Sequence, residues 1–159
     1  MTFARSAAVP VATAYLHPGE LLASASACEV TTILGSCVAA CVFDAEAGVG
    51  GLTHHLLPHG DPEAGRPGRF GNLAVPALVR RLVEAGARPR ALRAKLFGGA
   101  CVLQAFGGGE RHLGAQNVAV AREALAALGI PVVAEDVGGR NGRRLVFHTE
   151  GGTALVRTL

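Results

Sequence analysis

Aromatic residues are scarce in this chain, whose 159 residues include six phenylalanines, one tyrosine and no tryptophan. Proteins that hold single-stranded nucleic acid stack its bases on aromatic side chains, so this scarcity disfavours that class of function. The net charge is only +3, and the basic residues form no run longer than Arg143-Arg144. This leaves no electrostatic footprint for DNA or RNA. We therefore expect no nucleic-acid partner.

Long apolar runs are also missing. No segment approaches the roughly 18 apolar residues of a membrane span, and the N-terminal 20 residues have no apolar core long enough for a secretory signal. The four cysteines show no C-x-x-C spacing, so a structural zinc site is only weakly indicated. We expect a cytoplasmic protein with reduced thiols, no membrane insertion, no metal and no cofactor.

The composition favours a folded domain, because half of the residues are apolar and 17% are charged. A chain of this length can bury roughly 68–70% of its unfolded surface in one domain. We expect a single domain over residues 1–159, with residues 1–10 as a loose leader. The patterns predict an α+β fold made mostly of strands with two helices.

The predicted strands are Val11–Leu16, Glu20–Ser26, Glu29–Leu34, Val38–Phe43, Val49–His54, Ala91–Phe97, Pro131–Val137, Arg143–Thr149 and Thr153–Thr158. The predicted helices are Asn72–Ala85, with Asn72 as its N-cap and Gly86 at its C-terminal end, and Leu113–Leu128. Loops are expected at His59–Arg69 and Gly107–Gly109. Both alternating faces of Val38–Phe43 are apolar, which predicts a strand buried on both sides.

A thiol and an imidazole are brought together by the predicted hairpin between the fourth and fifth strands. With its turn centred on Ala45 and Glu46, Cys37 faces His54, and opposed Cβ atoms lie about 4.5–5.5 Å apart. A slip of one residue would turn the two side chains to opposite faces. Cys37 directly follows Gly35-Ser36, where backbone N–H groups could hold an oxyanion.

Several alternatives stay open at this level. A lone cysteine is more often an inert buried residue than a nucleophile. His54 and His55 are adjacent, so only one can meet Cys37, and either is most simply a surface imidazole. Thr31 and Thr32 are equal by composition. A rival from another class is a metal site that uses Cys37, Cys41, His54, His55 and His59.

Five motifs occur in the order LGSCVAACVFD, GGLTHHLLP, AKLFGGA, LGAQN and AEDVGG. Together they resemble the CheD family of chemoreceptor glutamine deamidases, from Gly19 to the C-terminus. The resemblance implies one layered domain of mixed β-sheets with two main helices on one side, similar to toxin-type cysteine deamidases. It also implies a Cys–His–Thr triad, which falls on Cys37, His54 and Thr31. The implied activity is that of a protein-glutamine glutaminase acting through a thioester.

The same resemblance implies methyl-accepting chemotaxis receptors as substrates and a CheC-like phosphatase of the response regulator as a partner. A non-catalytic regulator that binds this phosphatase and receptors is the alternative. Three positions are candidates for substrate binding, namely the loop near Phe70, Asn117 and Asp136. The sequence departs from the family pattern at Thr53, Gln116 and Phe70, none of which belongs to the implied triad.

Overall fold

The described part of the chain contains nine strands and two α-helices, together with three short 3-10 helices. The computed structural model describes residues 11–102 and 112–159, so the predictions for residues 1–10 and for the Gly107–Gly109 loop lie outside the described residues. The strands are β1 Ala12–Tyr15, β2 Leu21–Ser24, β3 Cys28–Leu34, β4 Val38–Asp44, β5 Val49–Thr53, β6 Arg93–Gly98, β7 Val132–Val137, β8 Arg143–His148 and β9 Ala154–Thr158. The helices are α1 Gly71–Glu84 and α2 Leu113–Ala127.

The strands form two mixed sheets. One sheet has the order β1-β3-β8-β9 and the other has the order β2-β5-β4-β6-β7. The β1–β3 and β6–β7 pairs are parallel, and the other neighbouring pairs are antiparallel. Both helices pack on the five-stranded sheet. The predicted α+β architecture of mixed sheets with helices on one side is therefore confirmed. No helix in the described ranges is long and apolar enough to cross a membrane.

Two buried clusters separate the layers. The inter-sheet cluster lies between the two sheets and includes Val30, Leu34, Ala39, Cys41, Leu52 and Phe147. The helix-side cluster lies between the five-stranded sheet and the helices and includes Val38, Ala40, Val42, Leu78, Leu96 and Leu125. Alternate residues of β4 enter one cluster or the other, because successive side chains of a strand point to opposite faces. All seven residues of β4 are buried, which confirms the predicted two-sided burial.

The turn between β4 and β5 differs from the prediction. Asp44 pairs with Val49, so the loop contains four residues, Ala45–Gly48. The Asp44 carboxylate accepts the N–H of Ala47 at 3.1 Å, and Gly48 adopts a left-handed φ of 71° while its N–H donates to the Asp44 carbonyl. This side-chain turn, typical of aspartate, moves the register by two residues from the predicted one.

The start of α1 was also predicted wrongly. Phe70 is its N-cap, and Asn72 lies inside the helix. The Asn72 side chain instead holds Gly60, accepting its N–H at 2.9 Å and donating to its carbonyl at 3.1 Å, which fixes the preceding loop. The predicted C-terminal glycine is confirmed, because Gly86 follows the helix with a φ of 112°.

An ion pair between a buried carboxylate and a half-exposed arginine anchors the β4–β5 hairpin. The Asp44 side chain is 1% exposed and accepts hydrogen bonds from the Arg88 backbone N–H, Nε and Nη2 at 3.0–3.1 Å. The Arg88 side-chain hydrogen bonds hold the pKa of Asp44 well below its usual range. The stability that this pair supplies is therefore present above the unfolded-state pKa of about 3.9 and is lost as the pH falls below it.

We predict that Asp44→Asn lowers the free energy of unfolding by about 1.5–3 kcal/mol at pH 7, the range for a hydrogen bond to a charged group. Urea unfolding at pH 7 and pH 3 measures this loss. The difference between wild type and variant should shrink at pH 3, where Asp44 of the unfolded chain binds a proton while the folded carboxylate stays ionised. Glu46→Gln is the control, since exposed ion pairs contribute about 0–1 kcal/mol. An equal loss in both variants would contradict a special role for Asp44.

Candidate active site

A threonine and a histidine meet between the sheets, at the end of β5. The Oγ1 atom of Thr32 lies 2.7 Å from Nδ1 of His54, and both residues are at most 1% exposed. The same Oγ1 lies 2.7 Å from the carbonyl oxygen of Leu16. Main-chain bonds hold the histidine segment, because the His54 N–H donates to Glu20 O and the Gly19 N–H donates to His54 O. Thr32 therefore holds the imidazole of His54, and Glu20 and Gly19 hold its main chain.

These contacts assign the tautomer of His54. A carbonyl oxygen can only accept, so the single hydroxyl proton of Thr32 is donated to Leu16 O. Nδ1 of His54 must then be the donor to Oγ1, which leaves Nε2 without a proton. The arrangement presents an imidazole whose free nitrogen can act as a base.

The geometry does not bring the Thr31 hydroxyl to His54, and the predicted role of Thr31 stays a prediction. On β3 the residues Val30, Thr32 and Leu34 are buried between the sheets, whereas Ile33 is exposed and Thr31 is half-buried on the opposite face. There Thr31 lines a shallow surface cavity together with Tyr15 and Ile33. The hydroxyl that contacts His54 thus belongs to the neighbouring threonine, and strand alternation keeps Thr31 away from it.

Cys37 lies on the same face of the five-stranded sheet as His54, although not directly opposite it. The observed register pairs Val38 with His55, so its continuation places Cys37 opposite Leu56 rather than His54. The predicted register is wrong by two residues, and an even shift leaves both side chains on one face. Cys37 packs against the inter-sheet cluster and is half-buried. Among the described residues, no hydrogen bond joins Sγ of Cys37 to His54. Catalytic hydrogen bonds are often long or poorly aligned before substrate binds.

The turn that carries Cys37 is held through its carbonyl groups. The Gly35 carbonyl accepts from the Ala100 N–H, and the Cys37 carbonyl accepts from the Gly99 N–H, each at 2.9 Å. The Ser36 carbonyl accepts from a side-chain amide at 3.0 Å. Within the described ranges the N–H of Cys37 donates to no backbone carbonyl. The turn therefore offers a backbone donor beside the thiol.

Both reactive groups are neutral at rest. Burial, together with the neighbouring charge of His55, lowers the pKa of His54 to about 4. Burial raises the pKa of the Cys37 thiol, and its own backbone N–H partly opposes this effect. The site therefore holds a thiol and a neutral imidazole rather than a thiolate–imidazolium ion pair.

Two of the other three cysteines differ from Cys37 in exposure. Cys28 and Cys41 are buried, and burial raises the pKa of both thiols. None of the four cysteines forms a disulfide. Cys37 and Cys101 are both partly exposed, and only Cys37 packs with the inter-sheet cluster near His54.

His55 belongs to the opposite face, and the expectation of a surface imidazole is wrong for both histidines. His55 is fully buried, and its Nε2 donates to the Asn117 carbonyl at 3.1 Å. Its Nδ1 is then an acceptor, which the Thr53 hydroxyl approaches at 3.2 Å. Burial lowers the pKa of His55 to about 4. The adjacent histidines thus have opposite tautomers and face different layers.

The three predicted substrate-binding positions lie in structural contacts. Asn117 is fully buried on α2. Asp136 is part of β7, and its carboxylate pairs with Arg143 at 3.1 Å. Phe70 caps α1, and its ring lies where a Cβ on Gly60 would have to be. None of these contacts identifies a substrate.

The proposed metal-ligand set is not assembled. His55 faces the helices, whereas Cys37, Cys41 and His54 lie on the inter-sheet face. In the described part of the chain, no three histidine, cysteine or acidic side chains are grouped as a metal site.

A half-buried thiol on the same sheet face as an oriented imidazole defines a candidate cysteine hydrolase site on a mixed α+β fold. The family model described as CheD chemotactic sensory transduction matches residues 56–158, which lie beyond Cys37 and His54. A probable chemoreceptor glutamine deamidase CheD 1 of Anaeromyxobacter dehalogenans is 49% identical over 146 residues, covering 91% of this chain and 84% of that protein. The chain belongs to the CheD family.

Two further relatives span the same region. A probable chemoreceptor glutamine deamidase CheD of Rhodospirillum rubrum is 42% identical, covering 91% of this chain and 81% of its own length. The corresponding protein of Trichlorobacter lovleyi is 37% identical, covering 92% of this chain and 91% of its own length. These proteins match far more of this chain than the family model does.

We predict that His54 carries its proton on Nδ1 and His55 on Nε2, and that both titrate near pH 4. Two-bond ¹H–¹⁵N NMR correlations of histidine-labelled protein distinguish the tautomers and follow the titrations. Because both folded-state pKa values are lowered below 6.5, the unfolded chain binds protons first. Stability should therefore be full above pH 6.5 and fall between pH 6.5 and 4, by about 1.4 kcal/mol for each pKa unit.

The matched variant is His55→Gln, whose amide can still donate to the Asn117 carbonyl. It should lower the pH dependence of urea unfolding and leave the Nδ1–H signal of His54 in place. An Nε2–H tautomer at His54 would contradict the assigned hydrogen-bond direction.

Proposed function

We propose that this protein deamidates glutamine side chains on the cytoplasmic region of chemotaxis receptors, with Cys37 as the nucleophile and His54 as the base. The substrate class comes from the names of its relatives, probable chemoreceptor glutamine deamidases. The observation that carries the mechanism is the Thr32 hydroxyl, whose bond to Leu16 O leaves Nε2 of His54 free to accept a proton.

The first half-reaction forms a thioester. Nε2 of His54 takes the proton of the Cys37 thiol as Sγ attacks the amide carbon of the substrate glutamine. The backbone N–H of Cys37 stabilises the tetrahedral oxyanion, the role that preorganised backbone donors play in acyl transfer. Protonated His54 then gives its proton to the amide nitrogen, and ammonia leaves.

The second half-reaction hydrolyses the thioester. His54 takes a proton from water, hydroxide oxygen attacks the thioester carbon, and the proton returns to Sγ. The products are glutamate and the free thiol. Thr32 keeps the imidazole in one tautomer and orientation throughout. Because its hydroxyl is neutral, it stabilises the imidazolium less than a carboxylate does.

The resemblance to the family supports one further partner. A CheC-like phosphatase would bind this protein in competition with receptor. No contact in the described ranges bears on that partner, and the proposal rests on family membership alone.

Mass spectrometry of a receptor cytoplasmic fragment incubated with the protein tests the activity. Each deamidated glutamine gains about 1 Da, and Cys37→Ala should abolish that gain while retaining the fold. Cys41→Ala is the control, because Cys41 is fully buried and its thiol is not presented. Normal turnover by Cys37→Ala would overturn the nucleophile assignment.

The threonine assignment gives predictions for three variants. Thr32→Val should lower the deamidation rate by about 10²–10⁴, the usual contribution of a positioned proton-transfer group. Thr32→Ser, which retains a hydroxyl, should recover part of it. Thr31→Val should change the rate little, since Thr31 faces away from His54. Initial rates per folded molecule measure all three, and the reverse order would return the role to Thr31.

A further inference from the structure

A buried asparagine lies where β4 and β5 separate. The backbone ladder between these strands ends at the Val38–His55 pair, where each N–H donates to the other residue's carbonyl at 3.0–3.1 Å. Beyond that pair the two chains diverge toward Cys37 on one side and Leu56 on the other. The next interstrand link is made by a side chain of α2.

The amide of Asn117 provides this link. Its Nδ2 donates to Ser36 O at 3.0 Å and to Leu56 O at 2.9 Å. Ser36 directly precedes Cys37, and Leu56 follows His54 by two residues. One amide nitrogen therefore joins the segment that carries the thiol to the segment that carries the imidazole.

The asparagine is itself held from the sheet. The Ala40 N–H donates to Thr53 Oγ1, the Thr53 hydroxyl reaches Nδ1 of His55, and Nε2 of His55 donates to the main-chain carbonyl of Asn117. This chain of contacts occupies the helix face directly behind Cys37 and His54. It fixes α2 relative to β4 and β5 at the level of the site.

The other end of the same amide is unsatisfied. Oδ1 of Asn117 is buried and has no hydrogen-bond partner in the described structure. An unpaired buried acceptor is destabilising, and such a group calls for an explanation. The carbonyl oxygens of Ser36 and Leu56 each accept one of the two N–H groups of Nδ2. A serine or threonine hydroxyl has a single proton and would satisfy only one of them. An amide supplies both donors but also carries an oxygen, and this oxygen is the atom left unpaired.

We propose that Asn117 is a positioning residue that sets the separation between Cys37 and His54 by bridging the main chain of their two segments. Its Nδ2 is fully engaged by the two carbonyl groups, so it does not act as an oxyanion donor. The consequence for catalysis rests on the proposed function, whereas the consequence for thiol reactivity does not. A misplacement of about 1 Å can lower a rate by about 10²-fold.

The test measures alkylation of Cys37 by iodoacetamide at pH 7.5, resolved from the other cysteines by peptide mapping. Asn117→Ala should slow this reaction by about 10-fold. In a His54→Ala background the same change should have no further effect, because the thiol then has no base to be placed against. Asn117→Asp should fall between wild type and Asn117→Ala, since a buried, protonated carboxyl keeps one O–H donor for one of the two carbonyls.

Leu125→Ala is the matched control. It truncates a fully buried residue two turns further along α2 and lowers stability through the cavity that it leaves. Under conditions where it is folded, it should leave Cys37 alkylation unchanged. With a receptor fragment, Asn117→Ala should lower kcat by about 10–100-fold and change KM by less than about twofold.

Equal slowing by Asn117→Ala with and without His54, or equal slowing by Leu125→Ala, would overturn the proposal. If Asn117→Ala does not fold, Asn117→Asp replaces it, and the alkylation rate of Cys37 is again compared with and without His54. If wild-type protein deamidates no receptor fragment, the proposed function fails, and the alkylation rates still decide whether Asn117 positions the thiol and the imidazole.

Discussion

Burial of the β4–β5 pair on both faces is the constraint on which the site depends. Every residue of both strands is buried, so each polar side chain there must find a partner within the protein. His54 finds Thr32 in the facing sheet, and His55 finds Thr53 and the α2 main chain. Two adjacent histidines thereby acquire separate tasks, because strand alternation sends them into different layers. The hydrogen bonds of His55 on the helix side of the sheet therefore lie directly behind His54 on the inter-sheet side.

The same burial decides the charge state of the site. Desolvation disfavours an imidazolium and a thiolate alike, so the pKa of His54 is lowered and that of Cys37 is raised. A neutral hydroxyl as the third member suits this environment, since a carboxylate at Thr32 would place an additional charge between two sheets. In the mechanism that we propose, the resting site is a neutral pair in which the base removes the thiol proton during attack. Charge then develops only when a substrate amide is in place, and the Cys37 N–H stabilises it.

Much of the fold could be predicted from the sequence. Both alternating faces of Val38–Phe43 are apolar, which indicated a strand buried on both sides. The helical periodicities located α1 and α2 to within one residue at either end. The turn after Asp44 and the start of α1 were less accessible, because each depends on one side-chain hydrogen bond, from Asp44 to Ala47 and from Asn72 to Gly60. The bridging role of Asn117 was not accessible either. It depends on where β4 and β5 diverge and on how α2 packs across that gap, and no local pattern encodes this relation.

Strand parity explains which shifts in position matter for the site. The β4–β5 register was wrong by two residues, yet Cys37 and His54 remained on one face because an even slip preserves the side of every residue. Thr31 and Thr32 differ by a single position, and that places them on opposite faces of β3. The sequence did contain the deciding signal, since Thr32 alternates with Val30 and Leu34, whereas Thr31 alternates with Glu29 and Ile33. A charged residue on a strand marks its outward face, so Glu29 assigns Thr31 to the surface and Thr32 to the side where His54 lies.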